Sequence, residues 1–334
     1  MKNNKIAIVN SSSFGKIFPK HINELKKVGS VEFFQFDQNI PGNELAKALK
    51  GYNYIIASVT PFFTKEFFEN IEDLRLISRH GIGYNNIDLE AAAKHNTIVS
   101  LVPALVERDS VAEQTITNLL NLMRKVCLSY QEVKEDRWEN RANFVGHTLF
   151  NKTVGIIGLG NTGSCIAETL RNGFRCEVIA YDPNKSKLEM QMSGVKKVDL
   201  ESLLKGADVI CLSANLTQES LHLIGNKEVE IMKEGVYISN SARGALVDEE
   251  AILSGLGTKK IAGYATDVLE TEPGRASHPL LDFPNVIITP HTGAYTMECL
   301  EAMGNKCVED VLKVMDGKFP VRSVQSQSIY IKKV

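Results

Sequence analysis

Apolar and polar positions alternate along the first part of the chain in the manner of a βα series. Short apolar runs with the composition of buried strands are separated by stretches of helical periodicity, among them 43–49 and 87–95. The strand-like runs are 5–10, 31–36, 54–58, 74–78 and 97–102. Because helices join successive strands, the pattern predicts a parallel sheet covered by helices.

A second series follows a long apolar-periodic stretch, 110–126, and a helical run near 130–140. Its predicted strands begin at Val154 and continue at 178–181, 209–213, 236–239, 261–268 and 286–289. One amphipathic helix lies beyond Pro290, and it must pack on one of the two domains because a lone helix cannot bury its apolar stripe. Residues 325–334 look like a short arm or an edge strand. The predicted fold class is α/β, with two doubly wound parallel-sheet domains.

Composition narrows the functional classes. A chain of 334 residues is long enough for two domains, and 43% apolar with 23% charged residues is ordinary for a soluble enzyme. The net charge of −2 gives no electrostatic basis for binding nucleic acid. No run approaches the ~18 apolar residues of a membrane span, and the N-terminus lacks a signal-like apolar region, so we expect a cytoplasmic protein.

The cysteines indicate neither a metal site nor a redox motif. All six are scattered, without a C-x-x-C pair or a histidine at ligand spacing. We expect buried, reduced thiols and no metal. Catalysis must therefore depend on other side chains or on an organic cofactor.

The run 154–163 reads as a buried strand that breaks into G-x-G-x-x-G and opens a helix. In that motif Gly158 permits the tight turn, Gly160 lets the backbone approach a pyrophosphate, and Gly163 lets the helix pack closely. The helix N-terminus at Asn161 and Thr162 would meet the phosphates. The motif predicts a dinucleotide-binding site.

Asp182 predicts which dinucleotide binds. It ends the next predicted strand, about 20 residues beyond the glycines, where an acidic residue hydrogen-bonds the ribose hydroxyls. A carboxylate there repels the 2′-phosphate of NADP, and Pro183 and Asn184 follow instead of an arginine. Lys185 and Lys187 read as solvated helix residues. We expect NAD.

Three polar residues follow the later predicted strands: Arg243, Glu272 and His291. The carboxyl ends of strands are where ligands bind in open α/β sheets. Singly, each has an ordinary structural explanation: a surface ion pair, a solvated carboxylate or a loop histidine. Their shared placement makes them candidates for catalysis.

The chain resembles the D-isomer-specific 2-hydroxyacid dehydrogenase family along nearly all of its length. Besides the glycine motif, the resemblance rests on the segments 79–88, 110–113, 241–248, 267–273 and 289–293. It implies a flavodoxin-like, discontinuous substrate domain, 1–101 with 292–334, hinged to a Rossmann NAD-binding domain, 102–291, with the active site in the cleft. It also implies a homodimer.

The resemblance assigns roles to these residues as an NAD-dependent oxidoreductase of a small 2-oxo or D-2-hydroxy acid. His291 would act as the general acid or base, and Glu272 would orient its imidazole and favour its cationic form. Arg243 would grip the substrate carboxylate with its fork of donors. The family pattern places the remaining contacts as follows: substrate at the N–H groups of Ile82 and Gly83, the nicotinamide carboxamide at Asp267, and further cofactor contacts at Ser213, Ala214, Asn215, Thr217 and Ala242.

Two departures from the family pattern bear on the substrate. Phosphoglycerate-specific members carry arginines near the third strand of the substrate domain, where this chain has Ala57-Ser58-Val59-Thr60, and no regulatory domain follows the terminal helix, so 3-phosphoglycerate is disfavoured. Arg108 stands where many members have a small or amide residue. Two interpretations of Arg108 stay open: it binds a second anionic group of the substrate, or it forms an ion pair with Glu107 or Asp109.

A further departure supplies an alternative function. Most relatives have histidine and proline where this chain has Ser213 and Asn215. Asn215, the segment 119–125 and Tyr295 are similar to the C-terminal binding protein branch of transcriptional corepressors, which suggests an NAD-sensing interaction protein. Ala294 replaces the tryptophan of those corepressors, which favours the enzyme. Formate-like and phosphite-like dehydrogenases are weaker alternatives, since Glu272 is not an amide.

Overall fold

The computed structural model describes residues 4–324, so the predicted arm at 325–334 lies outside the described residues. Two compact units divide the chain: residues 1–107 with 295–334, and residues 108–294. We call them the five-stranded unit and the seven-stranded unit after their sheets. The sequence-based boundaries, 101/102 and 291/292, lie six and three residues earlier in the chain.

The five-stranded unit is a parallel sheet in the order β2-β1-β3-β4-β5, which is the flavodoxin-like order. Its strands are β1 (Lys5–Val9), β2 (Ser30–Phe34), β3 (Tyr54–Ala57), β4 (Leu76–Arg79) and β5 (Ile98–Ser100). Its helices are α1 (Pro19–Lys26), α2 (Gly42–Ala48), α3 (Lys65–Asn70), α4 (Leu89–Lys94) and, from the far end of the chain, α12 (Met297–Met315). Helix α5 (Ala104–Arg124) begins here and continues into the seven-stranded unit.

Apolar side chains cover both faces of this sheet. On one face the core includes Ile55, Phe67 and Val99. On the other face, Ile8 and Leu76 of the strands belong to the same cluster as the α12 residues listed next. These are Cys307, Val308, Val311 and Val314. Helix α12 therefore completes a core whose strands lie near the other end of the sequence.

The seven-stranded unit is also a parallel sheet, in the order β12-β11-β10-β9-β6-β7-β8. Its strands are β6 (Thr153–Ile157), β7 (Glu177–Tyr181), β8 (Lys196–Lys197), β9 (Val209–Leu212), β10 (Val236–Asn240), β11 (Ile261–Thr266) and β12 (Val286–Ile288). Its helices are α6 (Val126–Lys134), α7 (Asn161–Phe174), α8 (Lys187–Met192), α9 (Leu200–Gly206), α10 (Asn226–Ile231) and α11 (Glu249–Gly257), with 3₁₀ helices at Trp138–Phe144, Gly244–Leu246 and Pro279–Asp282. The order reverses between β6 and β9, and such a switch point is where open α/β sheets bind ligands.

Local sequence signals set several helix starts. Asp88 accepts a hydrogen bond from the Ala91 N–H at the start of α4, and Thr296 accepts one from Cys299 at the start of α12. Ser186 and Glu189 form a capping box on α8. Short polar side chains just before apolar runs thus fix where these helices begin.

The helical region between the two series differs from the sequence-based prediction. Lys125 adopts a left-handed backbone with φ of 53°, which ends α5 and lets α6 begin at once. The helical run predicted near 130–140 is divided in the structure, because α6 ends at Lys134 and a 3₁₀ helix follows at Trp138. Of the cysteines, Cys127 is exposed and Cys165 half-buried, and the other four are buried free thiols. Among residues 4–324 no helix combines the length and apolar character needed to cross a bilayer.

Candidate active site

The glycine turn after β6 has a backbone that explains each of its glycines. Gly158 has φ of 89°, and a Cβ there would lie 2.6 Å from the Ala214 backbone. A Cβ on Gly163 would lie 2.1 Å from the Gly158 carbonyl oxygen. Gly160 has nothing within 4 Å of such an atom, so its backbone is open to a close ligand. The turn and the first residues of α7, Asn161 and Thr162, have the form of a phosphate cradle.

Asp182 lies at the end of β7 and braces this turn. One carboxylate oxygen accepts a 2.9 Å hydrogen bond from the Leu159 N–H, between the first two glycines of the motif. The other accepts a 2.9 Å bond from the Asn184 N–H. The side chain is nearly buried, at 9% exposure. The Asp182 carboxylate thus lies beside the glycine turn, where it disfavours binding of the 2′-phosphate of NADP.

The loop after β9, which contains Ser213, Ala214, Asn215 and Thr217, lies across the switch point from the glycine turn. Its start is held by the Ser213 N–H, which donates to the Ile157 carbonyl at 2.8 Å. Farther along, the Ser220 hydroxyl donates to the Asn215 carbonyl at 2.7 Å and accepts from the Thr217 N–H at 2.8 Å. The loop is therefore internally tied even though it lacks the histidine and proline of most relatives.

Arg243 follows β10 in a short loop that Asn240 organises. The fully buried Asn240 amide accepts from the Ala242 N–H at 3.1 Å and donates to the Arg243 carbonyl at 2.9 Å. The Arg243 guanidinium donates to the Ala242 carbonyl at 2.6 Å. The arginine therefore emerges from a rigid turn.

Glu272 and His291 form the central contact of the site. His291 Nδ1 lies 2.8 Å from Glu272 Oε2, and Glu272 Oε1 accepts from the Leu269 N–H at 3.0 Å. Burial acts to raise the pKa of the Glu272 carboxyl, but His291, the Leu269 N–H and the charge of Arg243 together lower its pKa below the ordinary range. The carboxylate therefore stays ionised and fixes the ring with Nδ1 occupied.

The His291 backbone is held by Asp267. One Asp267 oxygen accepts from the Thr292 N–H at 2.9 Å, and the other accepts from the Gly293 N–H at 2.7 Å. Its carbonyl accepts from the His291 N–H, also at 2.9 Å. Asp267, predicted to contact the nicotinamide carboxamide, thus braces the histidine loop in this structure.

Ile82 and Gly83 lie in the five-stranded unit, on the loop after β4. This loop is anchored by Gly81, whose carbonyl accepts from the Val102 N–H at 3.1 Å. Within the part of the chain that the structure describes, the half-buried Ile82 and Gly83 have N–H groups with no hydrogen-bond acceptor. Two successive N–H groups without acceptors are suited to an anion.

Arg108 is paired with its neighbour. Its Nε lies 2.8 Å from Asp109 Oδ1, and its side chain is 41% exposed. That contact is one of the two structural pairings considered from the sequence. Among the described residues, no cluster of three or more His, Cys, Asp or Glu side chains could hold a metal ion.

Sequence reasoning missed three residues that support this site, Asn240, Glu249 and His278, and it missed the bracing role of Asp267, which it had assigned to the cofactor. Asn240 and Asp267 brace the arginine and histidine loops. Glu249 accepts from the Glu270 N–H in the loop of Glu272, and His278 contacts Glu249. The strand-end position of Asn240, three residues before Arg243, is a usable signal. Glu249 gives none, since an acidic residue in the first turn of a helix is ordinary.

Comparison with known proteins identifies the family of this chain. A family model described as D-isomer specific 2-hydroxyacid dehydrogenase, NAD binding domain, matches residues 116–293. The chain is 37% identical over 280 residues to a D-3-phosphoglycerate dehydrogenase of Archaeoglobus fulgidus. The aligned region is 84% of this chain but only 52% of that protein. It is 30% identical over 319 residues to a glyoxylate reductase of Pyrococcus furiosus, which covers 93% of this chain and 94% of the relative.

Solved structures show the same architecture. A D-lactate dehydrogenase from Aquifex aeolicus, complexed with NAD and lactic acid, superposes with a TM-score of 0.83 at 28% identity, over 97% of this chain and all of that one. A glyoxylate reductase from Paecilomyes thermophila gives 0.84 at 26% identity, over 97% of this chain and 99% of that one. The similarity thus extends over both sheets.

Proposed function

This chain belongs to the D-isomer-specific 2-hydroxyacid dehydrogenase family, and we propose that it transfers a hydride between NAD(H) and a small 2-oxo acid or D-2-hydroxy acid. The observation that carries the proposal is the 2.8 Å contact between His291 Nδ1 and Glu272. A carboxylate on one ring nitrogen leaves the other, Nε2, for proton exchange with a substrate.

Substrate binding depends on groups suited to an α-carboxylate. Arg243 offers a planar fork of donors, which matches a carboxylate better than a lysine would. In the five-stranded unit, the N–H groups of Ile82 and Gly83 stay predicted substrate contacts, because two successive N–H groups without acceptors suit an anion. We propose that Arg108 binds a second anionic group of the substrate only when its side chain has released Asp109.

The glycine turn and Asp182 fit NAD. The open face of Gly160 admits a pyrophosphate, and the Asp182 carboxylate suits a ribose with a free 2′-hydroxyl. We propose that Asn161, Thr162, the 213–217 loop and Ala242 complete the cofactor site, and that Asp267 contacts the carboxamide while bracing the histidine loop. When bound, NADH supplies the hydride.

The protein's own contribution is to hold and move a proton. During reduction the His291 Nε2–H donates its proton to the carbonyl oxygen of the 2-oxo acid, which becomes the hydroxyl of the product. Glu272 stabilises the imidazolium before that transfer, because its carboxylate is ionised and in contact with Nδ1. In oxidation the neutral imidazole accepts the hydroxyl proton.

We also propose a homodimer, supported by an exposed apolar surface on the seven-stranded unit. Helix α6 and the 3₁₀ helix after it contain no buried residue, yet they carry several large apolar side chains. We define this α6 surface by Val126, Leu128, Tyr130, Val133, Trp138, Val145 and Phe150, all exposed. The cytoplasmic location stays a prediction from sequence.

The test is the loss of NADH absorbance with a panel of 2-oxo acids, run in parallel with NADPH. The panel contains glyoxylate, pyruvate, hydroxypyruvate, 2-oxoisocaproate, phenylpyruvate, oxaloacetate and 3-phosphohydroxypyruvate. We expect one class to reach a kcat/KM of about 10⁴ M⁻¹s⁻¹ or more with NADH. His291→Asn should then lower kcat by about 10²- to 10⁴-fold, the range for a positioned general acid.

The matched control is His147→Asn, which changes an exposed histidine of the same unit. Near-normal turnover by the His291 variant would refute the assignment of the general acid. Tight NADH binding with trace rates on every substrate would instead favour the NAD-sensing alternative.

A further inference from the structure

The loop that carries Glu272 is held by contacts that the proposed reaction does not explain. The Glu270 N–H donates to Glu249 Oε1 at 3.1 Å. The Glu270 carboxylate lies 3.0 Å from His222 Nε2. These contacts fix the peptide two residues before Glu272. Its carboxylate in turn bonds the Leu269 N–H, so the backbone and the side chain of the loop are held together.

Glu249 lies at the start of α11 but does not serve that helix alone. While one oxygen reaches the Glu270 peptide, the other lies 3.3 Å from His278 Nε2. The Glu249 side chain is 22% exposed and that of His278 is 17% exposed, so solvent screens the contact only partly. The Leu280 N–H donates to His278 Nδ1 at 3.4 Å, which places the ring proton on Nε2, toward Glu249.

The segment from Arg243 to Glu249 contacts the Glu272 loop at a second point. A Cβ on Gly244 would lie 2.0 Å from the Leu269 carbonyl carbon, so the two backbones touch. The same segment is hydrogen-bonded on its other side, where the Ile224 N–H donates to the Leu246 carbonyl at 3.1 Å. The segment 243–249 thus carries Arg243 and also supports the loop of Glu272.

We propose that Glu249 is a positioning residue for the catalytic pair. It holds the Glu270 peptide, which sets the Glu272 carboxylate against His291 Nδ1 and keeps the loop in register with Arg243. The inference rests on the proposed function for its kinetic consequence. Its structural consequence is a single tautomer of the neutral His291 ring, which can be measured without a substrate.

The physical basis is the precision that proton transfer demands. A displacement of about 1 Å in a catalytic group can cost roughly 100-fold in rate. The 2.8 Å contact of Glu272 with His291 tolerates no such movement. Loss of Glu249 removes the acceptor of the Glu270 N–H and leaves the His278 N–H without its carboxylate.

The test compares Glu249→Ala with Glu249→Gln and Glu250→Ala. We expect Glu249→Ala to lower kcat by about 10- to 100-fold and to leave NADH affinity unchanged. Glu249→Gln keeps an acceptor for the Glu270 N–H and should restore most of kcat. Glu250→Ala is the matched control, because Glu250 is the exposed next residue in the same first turn.

Histidine ¹⁵N NMR gives a readout that requires no turnover. In the wild type, the neutral His291 ring should carry its proton on Nδ1, with the resonance assigned by its loss in His291→Asn. Glu249→Ala should give a mixture of tautomers, whereas Glu250→Ala should match the wild type. A shifted tautomer in a protein inactive on every substrate would support the positioning role and reject the proposed function.

A folded Glu249→Ala variant whose His291 ring keeps the wild-type tautomer would overturn the proposal. So would a loss of kcat matched by an equal loss of NADH affinity, because that indicates a general structural defect. If Glu249→Ala does not fold, His278→Leu removes one of its two contacts and should shift the tautomer and kcat in the same direction, to a smaller extent. Wild-type behaviour of His278→Leu would then reject the inference.

Discussion

His291 adopts a backbone conformation that most residues avoid. Its φ is 54°, in the left-handed region, where a residue other than glycine costs of order 1 kcal/mol or more. Asp267 holds this conformation through its carbonyl, which binds the His291 N–H, and through its carboxylate, which binds the next two N–H groups. The strain thus lies at the residue proposed to move a proton.

His80 is a second unusual histidine, buried beside the loop of Ile82 and Gly83. Burial, followed by the charges of Arg79 and His21, lowers the pKa of His80 from 6.5 to about 3. Its ring packs edge-on against Phe14, at 5.4 Å between centroids. The folded protein therefore keeps this ring neutral at pH values at which an unfolded chain would protonate it.

Acid should consequently destabilise the five-stranded unit through His80. The stability that the neutral ring contributes is complete above pH 6.5 and is lost as pH falls toward 3, because only the unfolded state gains the proton. From pH 6.5 to 5 the loss is about 2 kcal/mol. Urea unfolding at both pH values should show this loss in the wild type and in His147→Gln, but not in His80→Gln. Equal losses in all three would contradict the prediction.

The sequence was informative where chemistry depends on residue type at fixed spacing. Arg243, Glu272, His291 and the three glycines follow strand ends, and the sequence alone predicted them as site residues. Glu249 was not, because its contacts join segments that are far apart in the chain. Nothing local distinguishes it from Glu250, which is exposed.

At the scale of the elements, helix α12 buries an ion pair within its apolar stripe. Lys306 is 7% exposed and Asp310 is 1% exposed, and their side chains are in contact. Ser100 accepts from Lys306 at 2.9 Å, and Ser78 donates to Asp310 at 2.8 Å. Burial raises the pKa of Asp310 against the lowering effect of Lys306. The pair ties the helix to β4 and β5 at a defined register.

Removing one partner should therefore be worse than removing both. Asp310→Ala leaves the Lys306 charge buried and unpaired, so we expect a loss of about 3 to 5 kcal/mol in the free energy of unfolding. The double variant Lys306→Met, Asp310→Leu should recover most of it, since an apolar pair of similar volume removes the buried charge. Calorimetry and urea unfolding of both variants check this. A single variant within 1 kcal/mol of the wild type would contradict it.

Element boundaries show what the hydrophobic pattern can predict. The long apolar runs predicted as strands are strands in both sheets, because a strand buried on both faces must be continuously apolar. The two-residue β8 (Lys196–Lys197) was not foreseen, since it is an edge strand of two lysines with no apolar signal. The break between α5 and α6 depends on the backbone of Lys125, which residue type does not encode.

At the scale of the whole molecule, the α6 surface is the feature most in need of a partner. Trp138 is 67% exposed and Val145 is 77% exposed, and both belong to a short segment, 126–150, with several other exposed large apolar side chains. Trp138 is also the single tryptophan of the chain. Its fluorescence therefore reports on that surface alone.

We expect the chain of 37.0 kDa to have twice that mass by light scattering. Trp138→Glu should give the monomer, because a charge on the α6 surface would have to be desolvated on association. On dilution of the wild type, Trp138 emission should shift to longer wavelength as the ring becomes solvated. Tyr84→Glu, at an exposed aromatic of the five-stranded unit, is the control. A monomeric wild type at micromolar concentration would refute the dimer.

The place of α12 in the five-stranded unit also has a consequence during synthesis on the ribosome. Strands β1 to β5 are complete by Ser100, but the helix that covers one face of their sheet begins at Met297. At about 5 to 20 residues per second, the ribosome needs roughly 10 to 40 s to make the intervening segment. The seven-stranded unit can fold within that interval, whereas the first sheet must keep an apolar face exposed. Nascent chains of this protein are therefore expected to be clients of ribosome-associated chaperones until translation reaches the last helix.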